Sequence, residues 1–182
     1  MADQKINLKY GLVVAVIVLG TWLLHEFSHW LTSESLGYDA FMGLNKVWSR
    51  GGQEVNSTHS LLISAAGPLI TVLQAAVAFF WLRSRWNKYW YVVLFTAFYM
   101  RFLAGGMNVI NLNDEGWISS QLGIGTYTLP LLVTGLLFWM VYRTSKQYQL
   151  RWQFQAGLTL LVMVTSSILI MVDQFFRIIL LS

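Results

Sequence analysis

The chain of 182 residues contains no cysteine, two prolines and three histidines. The absence of cysteine excludes thiol chemistry and a fold stapled by disulfides. Charged residues make up only 11% of the chain, whereas a soluble domain carries about a quarter. Together with a hydrophobic fraction of 56%, this scarcity excludes a disordered chain and a soluble enzyme, and it indicates one domain dissolved in lipid.

The few charges that remain give a formal net charge of +4. In a membrane protein a basic excess reports mainly on orientation, so no nucleic-acid partner is expected. Three histidines are also too few for a histidine-box di-iron oxidase. The remaining function classes are membrane enzymes, transporters and sensors.

Five stretches of mostly apolar residues predict an all-α integral membrane protein, because a membrane-spanning helix needs about 20 such residues. The predicted spans run over about Tyr10–Leu31, Ser60–Leu82, Tyr89–Ile110, Tyr127–Tyr142 and Phe154–Val172. Lys5 and Lys9 precede the first span as they would precede the apolar core of a signal peptide. That span ends in His25-Glu26 rather than in small residues, and four spans follow it, so a retained helix is predicted. The chain has no internal repeat, and residues 1–182 are predicted to form a single polytopic domain.

The connection from Thr32 to His59 is the longest segment outside the predicted spans. It contains several glycines and, around Phe41–Trp48, short alternations of apolar and polar residues. This pattern predicts two short β-strands or a re-entrant hairpin, with an irregular loop as the alternative.

The basic residues predict the orientation. Five spans place the loops Arg83–Lys88 and Arg143–Arg151 on the same side as the first residues of the chain, and this side holds eight of the twelve Lys and Arg residues. By the positive-inside rule, that side is cytoplasmic, in a plasma or inner membrane. One further basic residue, Arg101, falls inside the third span and therefore requires a partner or a wet cavity.

The motif His25-Glu26-Phe27-Ser28-His29 carries the chemistry. Residues four positions apart share a helix face, so His25 and His29 can direct imidazole nitrogens at one metal ion, for which Zn²⁺ is best suited. Glu26 lies beside the same ion, where it can act as a general base. The alternatives are a proton relay and a structural polar cluster. Inside hydrocarbon such residues cost several kcal/mol unless compensated, which favours a functional site.

A catalytic zinc ion needs a third ligand. Asp114 is the preferred candidate, with Glu115 and His59 as alternatives. The first and third spans run in the same direction, so the ends that carry the histidine motif and Asp114 are predicted to meet at one membrane face.

At three places the sequence resembles the site-2 protease family of intramembrane zinc metallopeptidases. These are HEFSH in the first span, Ala65-Ala66-Gly67-Pro68 in the second and the Asn-rich acidic segment 108–116 after the third. The resemblance covers residues 10–118, and 127–172 would be additional helices. It implies zinc ligands His25, His29 and Asp114, a water-activating Glu26, and substrate-backbone contacts from Asn108 or Asn111.

The sequence departs from the family pattern in two respects. No proline follows Asn108, and Glu115 rather than an aspartate precedes Gly116. In addition, the family keeps its metal nearer the cytoplasm, whereas the basic loops here place the histidine motif nearer the outer face.

The predicted function is that of a zinc endopeptidase that cleaves membrane-embedded proteins or peptides. The substrate backbone is expected to pair with an edge strand in the Phe41–Trp48 region. The alternatives are a membrane zinc hydrolase of a small or lipid-like substrate, and a metal-binding transporter or sensor without hydrolytic activity. The sequence makes no prediction of the oligomeric state.

Overall fold

The computed structural model describes residues 2–51 and 54–182. Within them the chain forms six α-helices and one two-stranded sheet. In chain order these are α1 (Leu8–Ser35), β1 (Ala40–Met42), β2 (Val47–Ser49), α2 (Ser57–Ser84), α3 (Lys88–Met107), α4 (Asp114–Gln121), α5 (Thr128–Gln147) and α6 (Trp152–Phe176).

Four of these helices, α1, α2, α3 and α6, are long and apolar enough to cross a membrane. They correspond to the first, second, third and fifth predicted spans. The fourth predicted span lies in α5, a helix of 20 residues that is not among the four. The prediction of a mostly helical chain with several helices that could cross a membrane is therefore confirmed.

Side-chain hydrogen bonds explain where the long helices begin and end. Asn7, Asn56 and Asn87 cap α1, α2 and α3 by accepting hydrogen bonds from backbone N–H groups of the first turn. At its other end α1 continues past the predicted Leu31 to Ser35, and the hydroxyls of Thr32 and Ser35 donate to carbonyls of the preceding turn.

The surface of the bundle is strongly apolar. Leu69, Phe80 and Phe175 are more than 65% exposed, an arrangement that lipid tolerates and water does not. The core of the bundle is formed by residues from several helices, α1, α3 and α6 among them. Three of these residues, Tyr10, Leu94 and Leu158, are completely buried.

The segment before α1 and the loops 85–87 and 148–151 meet at one end of the bundle, called here the basic end. Lys88 forms an ion pair of 2.7 Å with Asp3, and the Trp86 indole donates to the Asp3 carbonyl. The backbone N–H of Arg151 donates to the Gln4 side chain at 2.7 Å. The predicted grouping of the two basic loops with the first residues of the chain is confirmed.

The opposite end carries the β-hairpin predicted between the first two spans. β1 and β2 are antiparallel, with Phe41 opposite Trp48 and Met42 opposite Val47. The hairpin is fastened to α6 by a hydrogen bond of 2.9 Å from the Leu44 backbone N–H to the carboxylate of Asp173. The irregular-loop alternative is therefore wrong for this segment.

The backbone groups on the outer edge of β1 already have hydrogen-bond partners. The Ala40 backbone donates to Glu34 at 2.8 Å and accepts from the Trp30 indole at 3.1 Å, both on α1. The Met42 backbone exchanges hydrogen bonds with Leu180 and Leu181, in the segment that follows α6.

The short helix α4 has no counterpart among the predicted elements. Its sequence, DEGWISSQ, has no apolar periodicity, so it reads as a polar loop. Asp114 and Glu115 occupy its first turn, where the helix dipole favours negative charge. α4 packs against α2 and α5, and this packing places Asp114 and Glu115 against the bundle.

Candidate metal centre

The histidine motif lies on the inner face of α1. His25, Glu26 and His29 are 4%, 5% and 7% exposed, although all three are polar and the helix is a candidate membrane span. The Nε2 atoms of the two histidines lie 3.1 Å apart. The predicted common face is therefore confirmed, and both imidazoles point to the same position.

Hydrogen bonds from α2 define the tautomer of each ring. Nδ1 of His29 lies 2.6 Å from the Ile63 carbonyl oxygen, which can only accept, so this nitrogen carries the proton. Nδ1 of His25 lies 3.1 Å from the Thr71 hydroxyl, which already donates its own proton to the Gly67 carbonyl. His25 therefore also donates from Nδ1, and both Nε2 lone pairs face each other.

Asp114 completes the group. Its Oδ2 lies 3.4 Å from Nε2 of His25 and 3.5 Å from Nε2 of His29. Three such acceptor atoms repel one another unless a cation lies among them. Tetrahedral zinc with bonds of about 2.0–2.1 Å requires its ligand atoms to be about 3.3–3.4 Å apart. The donor atoms and their spacing fit a zinc ion, and among the described residues this is the group that could hold a metal.

A close approach between α1 and α2 makes this arrangement sterically feasible. A Cβ atom built on Gly67 would overlap Nε2 of His29 and lie 2.5 Å from Cε1 of His25. Only glycine at this position lets the two rings approach the α2 backbone this closely. Gly67 is thus part of the candidate metal centre as well as of the helix packing.

The two alternative third ligands have other partners. His59 Nδ1 lies 2.9 Å from the Tyr38 hydroxyl, and this pair is not part of the His25–His29–Asp114 group. Glu115 is buried and accepts a hydrogen bond of 3.0 Å from Nη1 of Arg101. The structure therefore selects Asp114 as the acid that meets the two histidines.

Glu26 has a different environment from the other acids. Its carboxylate is buried beside the histidines, and it makes no hydrogen bond to any residue in the described ranges. Asp114 and Glu115 both face the guanidinium of Arg101, and Glu26 adds a further buried acid, so among the described residues acids outnumber bases around the site and favour a bound cation.

The two asparagines carried over from the family pattern differ in setting. Asn108 is buried and its side-chain oxygen accepts from the Asn113 backbone N–H at 2.7 Å, while Gly116 leaves room for its amide. This hydrogen bond stabilises the turn that precedes Asp114 and thereby helps to position it. Asn111 is exposed. Their role in holding a substrate backbone stays a prediction.

Several contributors to the site were not assigned from the sequence. Thr71 and the Ile63 carbonyl orient the imidazoles, and neither residue type stands out in an apolar helix. Arg101 did carry a signal, because a charge inside an apolar span requires a partner. That partner is Glu115, at 3.0 Å.

Comparison with known proteins assigns no family to the chain. No protein-family model, curated protein or solved structure matches it. The fold and the site by themselves define a mostly helical protein with four helices that could cross a membrane, in which two buried histidines and a half-buried aspartate lie close enough together to hold a metal ion.

Proposed function

We propose that this chain is an intramembrane zinc endopeptidase similar to site-2 proteases. The observation that supports this most directly is the meeting of His25 Nε2, His29 Nε2 and Asp114 Oδ2 within 3.5 Å of one another. A buried glutamate on the same helical turn completes the set of groups that zinc peptidases use.

Each group has a role in hydrolysis. His25, His29 and Asp114 would hold the zinc ion, which when bound polarises a peptide carbonyl and makes water easier to deprotonate. Glu26 would take the proton from the attacking water and pass it to the amide nitrogen as the C–N bond breaks. The free carboxylate of Glu26 supports this role, because a carboxylate engaged in a salt bridge would be a weaker base.

The substrate would be a membrane-embedded protein or peptide presented as an extended strand, because a helix hides its amide groups. Because the backbone groups on the outer edge of β1 already have hydrogen-bond partners, the edge available to a substrate strand is the outer edge of β2. The outward backbone groups of Val47 and Ser49 have no backbone partner within the described ranges. This supports pairing of the substrate along β2.

The same proposal includes five membrane crossings with the basic end in the cytoplasm. α3 ends near Asp114, whereas α6 begins at the basic end beside Gln4. The chain between them must therefore traverse the bundle, and α5 is the helix of sufficient length that does so. The eight basic residues of the basic end support its cytoplasmic side.

Metal analysis tests the ligand set. Purified wild-type protein is expected to hold about one zinc ion per chain, and Asp114→Ala is expected to lose it because two imidazoles alone make an incomplete site. His59→Ala is the matched control, because this histidine bonds to Tyr38, and it should retain the metal. Loss of zinc in His59→Ala with retention in Asp114→Ala would overturn the assignment.

Zinc affinity is expected to decrease below about pH 6.5, where free imidazole becomes protonated and can no longer act as a ligand. Asp114 should remain ionised in this range. The ordinary pKa of an aspartate is about 3.9, well below this range, and Nη1 of Arg101 at 3.7 Å from Oδ2 favours the charged form. Zinc titrations between about pH 5 and 8 check this, and an affinity independent of pH would contradict histidine ligation.

A further inference from the structure

One nitrogen of Arg101 contacts both acidic residues at the start of α4. Nη1 lies 3.0 Å from Oε1 of Glu115 and 3.7 Å from Oδ2 of Asp114, the oxygen that faces the two histidines. The guanidinium and the Glu115 carboxylate are both buried. Glu115 is therefore held by Arg101 next to the candidate metal centre but is not one of the residues that converge there.

Glu115 is chemically able to bind the same ion. A carboxylate oxygen is an ordinary zinc ligand, and a buried carboxylate without a partner is strongly attracted to a neighbouring cation. If Glu115 joined His25, His29 and Asp114, the ion would have four protein ligands. Closed four-ligand sites are structural, whereas a catalytic zinc keeps one position for water.

We infer that Arg101 is a positioning residue that holds Glu115 off the metal and thereby keeps one coordination position free for water. This inference rests on the proposed function. Arginine suits the task because its guanidinium remains charged at every relevant pH and binds carboxylates through directed N–H groups. The pair Arg101–Glu115 thus determines whether the centre is open or closed.

The inference predicts that Arg101→Met closes the site. Methionine preserves an apolar stem of similar length but leaves Glu115 buried without its partner. Glu115 is then expected to become the fourth ligand, so the metal is retained and its release becomes at least about tenfold slower. The double variant Arg101→Met/Glu115→Gln removes the competing carboxylate and should open the site again.

Cobalt substitution measures this directly. Co²⁺ replaces zinc in the purified detergent-solubilised protein, and its visible absorption spectrum changes when azide enters an open coordination position. Wild type and the double variant should respond to azide, whereas Arg101→Met should bind cobalt and give no response. Glu115→Gln alone, which keeps Arg101, should respond like the wild type.

The outcomes separate this inference from the proposed function. An azide response in cobalt-loaded Arg101→Met would overturn the inference. So would the absence of an azide response in the double variant or in Glu115→Gln. If Arg101→Met binds no cobalt, Glu115 has not become a ligand, and the inference is equally overturned. Wild-type protein that binds neither cobalt nor zinc would contradict the proposed function itself.

Discussion

Replacement of Glu26 by glutamine is expected to lower peptide cleavage by about 100- to 10,000-fold, the usual contribution of a general base. Glutamine has nearly the same size, so packing on the inner face of α1 is preserved, but it cannot accept the proton from water. The bound metal should be unchanged, because Glu26 is not one of the three atoms that converge. Cleavage of a membrane-embedded peptide in detergent or proteoliposomes, with zinc content measured on the same sample, checks both parts.

The same variant distinguishes the competing functions. A hydrolase acting on a small or lipid-like substrate would also lose turnover in Glu26→Gln, but it would leave the peptide intact in the wild type. A transporter or sensor would retain metal-dependent activity without Glu26. Glu54→Gln is the matched control, because Glu54 is exposed and lies outside the helices, and it should behave as the wild type. Full peptide cleavage by Glu26→Gln would refute the proposed mechanism.

Replacement of Gly67 by alanine is expected to weaken metal binding strongly, although it changes none of the ligand residues. The added Cβ would lie 2.5 Å from Cε1 of His25 and overlap Nε2 of His29, so both rings would have to move. Metal sites tolerate ligand displacements of only about 0.2 Å, so a zinc affinity at least about 100-fold lower is expected. Competition with a chelator of known affinity measures it.

Gly20→Ala provides the control for this prediction. Gly20 also lies in an apolar helix, α1, but a Cβ at this position meets nothing within 4 Å. This variant should bind zinc as the wild type does. Circular dichroism on both variants separates loss of the site from loss of the fold. Wild-type zinc affinity in a folded Gly67→Ala protein would contradict the close packing of α2 against the imidazoles.

Local patterns in the sequence were sufficient to predict the long apolar helices and the histidine pair. Apolar runs of membrane-spanning length predicted α1, α2, α3 and α6, because solvation by lipid acts on each stretch separately. The i, i+4 spacing placed His25 and His29 on one face, because the helical repeat alone determines that relation. The first and third predicted spans run in the same direction. This arrangement predicted that the end of α1 and the residues after α3 would meet.

Other features depended on contacts between distant segments. The sequence favoured Asp114 as the third ligand but left Glu115 and His59 open as alternatives, which the structure pairs with Arg101 and Tyr38 instead. Neither pairing follows from periodicity, because each joins two elements through a single polar contact. The short helix α4 likewise lacks an apolar repeat, and it packs against α2 and α5.

The sequence by itself determined that this is a helical membrane protein with two histidines and a glutamate on one turn, because composition and helical spacing are local properties. Only the tertiary structure decided which acid joins them, which tautomers the rings adopt and why residue 67 must lack a side chain. These depend on α2 and α4 approaching α1 to within hydrogen-bond and van der Waals distance. Such distances are set by the packing of the whole bundle.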